Sequence, residues 1–316
     1  MRRRLWGGTA VAVAAAAGAV CMAATAFGGT THPHAHAGTR VRAAAAARPA
    51  RPFAATGPVV ALGDSYTAGL LAPPANGAVP LGCGRSAVNY ATLVAKRLKA
   101  PGLVDAACES AGVADMTSAE KTPMGTNPPQ FSALSPADSL VMLTLSGDDL
   151  GFTHVLNTCM LLSLTDPDGH PCQARYTAGG SDQLARLIAG EAPRLTAVLA
   201  AVHARAPHAR VLLLGYPDLF PRRGGCWPVV PIANGDIGYL RATELRLNAM
   251  LAGAASVTGS TYVDTYQATT GRDMCKDGDV KDVEGLIPTS LTYSFHPNAR
   301  GQAAMAAQVL AALRAA

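Results

Sequence analysis

Charge is scarce in this chain: Asp, Glu, Lys and Arg make up 15% of the 316 residues, against 49% hydrophobic residues. Such a composition excludes a disordered polyelectrolyte and can fill a substantial core. The formal +5 does not describe the part that folds. Arg2, Arg3, Arg4, Arg40, Arg42, Arg48 and Arg51 all precede residue 56, and no acidic residue accompanies them. Taking those seven from the 26 basic residues leaves 19 against 21 acidic, a net of −2. A nucleic-acid protein held by a basic face is thereby excluded, because neutralising phosphates takes clustered cations. After Phe27 no run approaches about 20 apolar residues, so a processed chain has no membrane span. No Cys-x-x-Cys occurs and the histidines are scattered, so neither a metal nor a cofactor is expected. The tract His32, His34 and His36 precedes the folding part and reads as a linker feature. No Gly-x-Ser-x-Gly surrounds Ser65, which disfavours an α/β-hydrolase elbow.

What is present begins with a leader. Arg2 to Arg4 are followed by an Ala/Val/Gly run to about Phe27, with small residues at Ala24-Thr25-Ala26 and Ala35-His36-Ala37 where cleavage could fall. Residues 1–37 are therefore expected to be a signal peptide, and the chain to be secreted. A lipoprotein anchor at Cys21 is the rival, but bulky Val20 stands where such processing wants a small residue. Residues 38–55, aperiodic and dominated by Ala, Arg and Pro, read as a flexible tether. Residues 56–316 form the folding domain, expected to be monomeric.

Six cysteines follow the leader: Cys83, Cys108, Cys159, Cys172, Cys226 and Cys275. An even number in an exported chain points to disulfides, with fifteen pairings open and the sequential one the simplest.

From Thr56 onward, strand and helix patterns alternate. Pro58–Leu62, Leu103–Ala107, Leu140–Leu145, Val211–Leu214 and Tyr262–Val263 are short apolar runs bounded by turn residues. Between them, helical spacing covers Tyr90–Leu98, then Leu184 to Val202, with Pro193 expected to kink or split it, and Leu240 to Leu251. A last helix runs from about Asn298 to Ala315. Alternation of this kind predicts an α/β fold, a parallel sheet covered on both faces.

In such sheets the chemistry gathers at the carboxyl ends of the strands. Gly63-Asp64-Ser65-Tyr66 follows the first strand, Cys108-Glu109-Ser110 the second and Ser146-Gly147-Asp148-Asp149 the third, while Ser294-Phe295-His296-Pro297 precedes the last helix. Alone, a Gly-Asp-Ser is more often a turn and a His-Pro a loop. Together at strand ends, they suggest a nucleophilic Ser65 with backbone donors beside it and His296 as a general base of near-neutral pKa.

These residues resemble the SGNH, or GDSL, hydrolases, within them the secreted actinobacterial esterase and lipase group. The resemblance spans about residues 57 to 312. It is carried by Gly63-Asp64-Ser65-Tyr66-Thr67-Ala68-Gly69, Cys83-Gly84-Arg85-Ser86, Asn89-Tyr90, Ala114-Asp115-Met116-Thr117, Gly215-Tyr216-Pro217, Tyr262-Val263-Asp264-Thr265-Tyr266, Asp273-Met274-Cys275, Val283-Glu284 and Phe295-His296-Pro297-Asn298. It implies a three-layer α/β/α sandwich with a five-stranded, flavodoxin-like parallel sheet. It further implies the disulfides Cys83–Cys108, Cys159–Cys172 and Cys226–Cys275, and metal-free hydrolysis of small-molecule or lipid acyl esters by Ser65 and His296.

Three positions depart from that pattern. Tyr293 replaces the Asp expected three residues before His296; related secreted members look as though they use a main-chain carbonyl, and the resemblance thereby implies Ser294 or its neighbour as the orienting group. Ser110 stands where the oxyanion Gly belongs; its backbone N–H can serve if its φ is ordinary, and Gly112 is an alternative flexible point. Asp148 replaces the oxyanion Asn. An ionised Asp offers only acceptors, so Asp148 joins Ser65 and Ser110 in an oxyanion site only when protonated, favoured by burial or a neighbouring carboxylate. The expectation is an active esterase or lipase favouring acid conditions. The alternatives are a catalytically weakened relative that binds acylated ligands, and a carbohydrate deacetylase. The stretch Phe152 to Ala178, with Leu156, Met160, Leu161, Leu162 and Leu164, is apolar enough to contact acyl chains or simply to pack as a loop.

Overall fold

A computed structural model describes residues 53–315. The signal peptide expected at 1–37, and residues 38–52 of the tether expected at 38–55, lie outside the described residues. In chain order the domain runs β1 (Val59–Gly63), α1 (Ser65–Ala68), α2 (Tyr90–Leu98), β2 (Leu103–Asp105), β3 (Glu120–Thr122), β4 (Gly125–Asn127) and β5 (Leu140–Thr144). It continues with α3 (Phe152–Ser163), α4 (Pro171–Thr177), α5 (Gln183–Arg205), β6 (Arg210–Leu214), α6 (Ile237–Thr258), β7 (Thr261–Val263), α7 (Thr265–Thr269) and α8 (Ala299–Ala315).

Five strands pair in the order β2-β1-β5-β6-β7, every neighbour parallel. Register sets Val60 beside Val104 and Val141, and Leu213 beside Leu143 and Tyr262. Because side chains alternate across a strand, each apolar strand feeds two cores. Val60, Leu62, Val141, Leu143 and Leu213 face one core with Leu195 and Val202 of α5 and Leu251 of α6. Val59, Ala61, Met142, Leu212 and Leu214 face the other, with Val94 of α2 and Met305 and Val309 of α8. This is the expected α/β/α sandwich with a five-stranded parallel sheet.

Three local readings change. Pro193 does not split its helix: α5 runs unbroken from Gln183 to Arg205. Leu184 and Ile188 before the proline are buried like Leu195, Val198, Leu199 and Val202 after it, and burying side chains of this size, about 1.5–3 kcal/mol each, outweighs a proline penalty of about 3 kcal/mol. The apolar stretch after Phe152 is helical, α3 and α4, with Leu156 buried and Leu161 and Leu164 exposed. The antiparallel β3–β4 hairpin has no alternating hydrophobic signal; it is held by side-chain bonds instead, Arg85 Nη2 donating to Asn127 Oδ1 at 2.7 Å. Among the described residues, no helix is long and apolar enough to cross a membrane.

The cysteines meet sequentially, Cys83 with Cys108, Cys159 with Cys172 and Cys226 with Cys275, at Cα separations of 4.2, 4.8 and 5.4 Å. They close loops of 25, 13 and 49 residues, each worth about 3–4 kcal/mol in the chain-entropy account. A non-reducing peptide map is expected to recover these three pairs. Replacing Cys226 and Cys275 together by Ser should lower stability to denaturant by about 3–4 kcal/mol.

Candidate active site

The first strand delivers Ser65. β1 ends at Gly63, whose φ of +113° turns the chain sharply and whose N–H and C=O are clamped by Gln130, at 2.6 and 2.9 Å. Asp64 caps α1 by accepting the Tyr66 N–H at 2.9 Å. Ser65 follows as the first helical residue, only 4% exposed. The last loop delivers His296, 8% exposed, from the far end of the chain.

The two meet with His296 Nε2 at 2.7 Å from Ser65 Oγ, while Nδ1 lies 2.7 Å from the Ser294 carbonyl oxygen. A carbonyl can only accept, so Nδ1 carries the proton; Nε2 is left as the acceptor and the Ser65 hydroxyl donates to it. Burial pulls the imidazole down to about 4, with the Ser294 carbonyl partly opposing the shift. His296 is therefore neutral, as a base must be, above that pH. The loop holds this pose at a backbone cost: Phe295 sits at φ +62°, in the left-handed region that bulky residues avoid. Its carbonyl accepts the Tyr66 hydroxyl at 2.7 Å, and Asn298 Oδ1 caps α8 at the N–H groups of Arg300 and Gly301. Tyr293 brings no carboxylate. Its ring packs edge-on to the imidazole, centroids 5.5 Å apart, and its carbonyl accepts the His296 N–H at 3.3 Å.

Ser110 and Asp148 line the same cleft of about 330 Å³ as Ser65 and His296. Ser110 is not among the described non-glycine residues with positive φ, which are Leu71, Lys99, Ser146 and Phe295; a serine is unstrained there. Glu120 of β3, pushed up to about 7 chiefly by burial, stands by its N–H. Gly112 also has negative φ, and its requirement for glycine is one of space: a Cβ there would lie 2.9 Å from the Asp149 carboxylate. That carboxylate accepts the Val113 N–H and pairs with Arg194, both at 2.9 Å.

Asp148, by contrast, has no side-chain hydrogen bond among the described residues. Burial, then the Asp64 and Asp149 carboxylates, push it up to about 8. Asp64 is also raised by burial, but the Tyr216 hydroxyl donates to it at 2.5 Å. Of these two neighbours, Asp148 is the one to take a proton, because the donors around Asp64 favour its charged form. The Tyr216 oxygen in turn accepts the Gly147 N–H at 2.6 Å, linking β6, β5 and β1 at their carboxyl ends. Tyr216 stands in one of the motifs that carry the resemblance, though that motif gives no sign of its bonds to Asp64 and Gly147, and Gln130 has no distinctive sequence signal.

Beside the cleft is a narrow apolar pocket of about 50 Å³, walled by Phe152, Leu156, Leu184, Ile188 and Leu219 and sharing Tyr66, Gly147, Phe152 and Tyr216 with the cleft. Of the apolar stretch read from the sequence, Leu156 reaches this pocket while Leu161 and Leu164 face solvent. Glu244 stands among these residues; burial raises it well above its ordinary value, against the Leu219 N–H that donates to it at 3.1 Å.

Residues 61–304 match the GDSL-like Lipase/Acylhydrolase family. The chain is 38% identical over 254 residues to Lipase 2 of Streptomyces coelicolor, covering 78% of this chain and 82% of that protein. Among solved structures it is similar to phospholipase A1 from Streptomyces albidoflavus, with 28% identity, a TM-score of 0.66, and coverage of 82% of this chain and 98% of that one. It is likewise similar to the extracellular lipase of Streptomyces rimosus, with 25% identity, a TM-score of 0.65, and coverage of 82% and 99%. The chain thus belongs to the GDSL-like lipase/acylhydrolase family and is a carboxylic ester hydrolase of the SGNH-hydrolase fold.

Proposed function

We propose that the protein is a secreted serine esterase or lipase that cleaves acyl esters through Ser65 and His296. The observation that carries this reading is the unbroken chain from the Ser65 hydroxyl through His296 to the Ser294 carbonyl, 2.7 Å at each step. Ser65 Oγ attacks the ester carbonyl as His296 Nε2 takes its proton; the imidazolium returns that proton to the departing alcohol, leaving an acyl-Ser65 ester. Water, deprotonated by the same imidazole, releases the acid and restores Ser65. The Ser294 carbonyl holds the tautomer, a role a neutral acceptor performs with less stabilisation of the imidazolium than a carboxylate would provide. Oxyanion donors are the Ser65 N–H, the protonated carboxyl of Asp148, and the Ser110 N–H, which the oxyanion shares with the Glu120 carboxylate.

The apolar pocket beside the cleft favours the acyl group of a lipid or aliphatic ester over a carbohydrate acetate. The similarity to a phospholipase A1 and to lipases points the same way. Residues 1–37 serve as the signal peptide, 38–55 as a tether, and 56–316 as a monomeric catalytic domain. A weakened, ligand-binding relative is the second reading, favoured only by the carboxyl at position 148.

Ser65→Ala and His296→Ala should each reduce turnover of p-nitrophenyl esters by about 10⁴-fold or more, and the double variant should lose no more than either alone, because the residues act as a unit. Full turnover by Ser65→Ala would end the assignment. Tyr293→Phe should cost less than about tenfold; a loss near the 10⁴-fold of a misplaced triad carboxylate, with the fold intact by circular dichroism, would remove Ser294 from the orienting role.

The pH profile follows from two opposite requirements. His296 must be neutral, so activity rises through about 4; Asp148 must be protonated, so activity falls through about 8. Asp148→Asn supplies a permanent donor. It should abolish the alkaline limb, with a gain of about tenfold one pH unit above the native midpoint and almost none below neutrality. A loss at every pH would give Asp148 another role.

A further inference from the structure

Each catalytic residue adjoins a segment without charge. From Ser65 to Gly84, and from Gly285 to Ala299, no Asp, Glu, Lys or Arg occurs. Beyond the buried residues 65–70 and 295–298, both run over the surface: Ile287 is 77% exposed, Leu291 78% and Leu71 58%. Scattered exposed apolar residues are ordinary on a protein surface; these are joined. The Leu70 carbonyl accepts the Tyr293 N–H at 3.3 Å and the Thr292 hydroxyl at 2.9 Å, while Leu71 N–H donates to the Gly84 carbonyl at 3.1 Å. Leu70 and Tyr293 line the cleft itself, so the apolar rim is continuous with its mouth. Beyond Gly84, the turn at Leu81–Cys83 lies against the hairpin, Gly82 abutting Met124, and both Leu81 and Met124 are exposed.

Leu71 is also held out by its backbone. It has φ +60°, where glycine or asparagine would be at ease and leucine is strained. An exposed leucine in such a conformation gains nothing from the domain's own core. Strain of this kind persists where its surroundings over-determine it, and it is concentrated at functional sites.

We propose that this rim, Leu71, Leu81, Met124, Ile287, Leu291 and Tyr293, is a docking surface for zwitterionic lipid, seating the cleft mouth on an aggregate so that an ester passes to Ser65 without crossing water. The proposal rests on the acyl-ester reading of the site. With no Lys or Arg in either loop and one lysine, Lys121, on the hairpin that carries Met124, the rim has little means to select an anionic headgroup; its complement is a lipid surface of zero net charge, entered by apolar burial.

The test floats the secreted protein, without the apolar leader, with vesicles of pure phosphatidylcholine, whose zero net charge offers the basic N-terminal segment little attraction. Ile287→Asp/Leu291→Asp should lower the partition coefficient by about tenfold or more, since each lost apolar contact costs several-fold. Leu71→Asp should lower it by a smaller factor. Val257→Asp, an equally exposed apolar site at the opposite, amino-end side of the sheet, should leave it unchanged. On a dissolved short-chain ester all variants should stay within about twofold of the parent, while on ester carried in the vesicles the double variant falls with its partition. Equal partition of the double variant and the parent overturns the proposal. So does sedimentation of the lipid-free parent as a dimer that the double variant abolishes, because the face then belongs to a second copy. Partition needs no turnover, so a failure of the Ser65 chemistry would leave this result standing, and the two ideas fall separately.

Discussion

The hydrogen bond between Ser65 Oγ and His296 Nε2 joins positions 231 residues apart, and much of the structure serves to hold it at 2.7 Å. Ser65 is placed by the parallel sheet: β1 lies between β2 and β5, and its carboxyl end is pinned by Gln130 at Gly63 and by the Asp64 N–H on the Thr144 carbonyl. His296 is placed by α8. Gln302 of that helix accepts the Tyr90 N–H and donates to the Tyr66 carbonyl, so the helix behind the histidine is bonded to the one behind the serine. The helix layer on that face of the sheet is thereby tied to the turn that carries Ser65.

Around that bond the electrostatics are unusual for a site that must stabilise an oxyanion. Asp64, Asp148 and Asp149 meet at the strand ends, yet each has a different solution. Asp149 is compensated by Arg194 and the Val113 N–H. Asp64 is held by the Tyr216 hydroxyl and the Tyr66 N–H. Asp148 has neither, and proximity to the other two makes protonation its resolution. Its neighbours use up the available compensation, and on the proposed mechanism that leaves the Asp148 carboxyl a donor rather than a charge opposing the oxyanion.

Architecture was legible where burial imposed a period. Buried strand runs and the helical spacing of α2, α5, α6 and α8 follow directly from apolar side chains that must face one of two cores. Pro193 and the β3–β4 hairpin were misread or missed for opposite reasons: tertiary burial overrode a local helix breaker, and side-chain bonds from distant Arg85 stood in for a hydrophobic pattern. The same holds at the site. Ser65, His296, Ser110 and Asp148 could be picked out as residues at strand ends, but Gln130 and Gln302 act through contacts across 67 to 236 positions, which no local pattern records, and the motif that holds Tyr216 gave no sign of its bond to Asp64.

By itself, the sequence determined which residue types could carry the chemistry, that no carboxylate precedes His296 at the usual spacing, and that the stretches from Ser65 to Gly84 and from Gly285 to Ala299 lack charge. These are local properties, set by composition and by periods of two and 3.6. Only the tertiary structure decided that Ser294 rather than a neighbour accepts the Nδ1 proton, that Ser110 is unstrained, that Asp148 lacks a donor, and that two uncharged loops join at one mouth. Each of those depends on distances and dihedral angles between segments far apart in the chain, which exist only once the sheet has gathered its carboxyl ends at one edge.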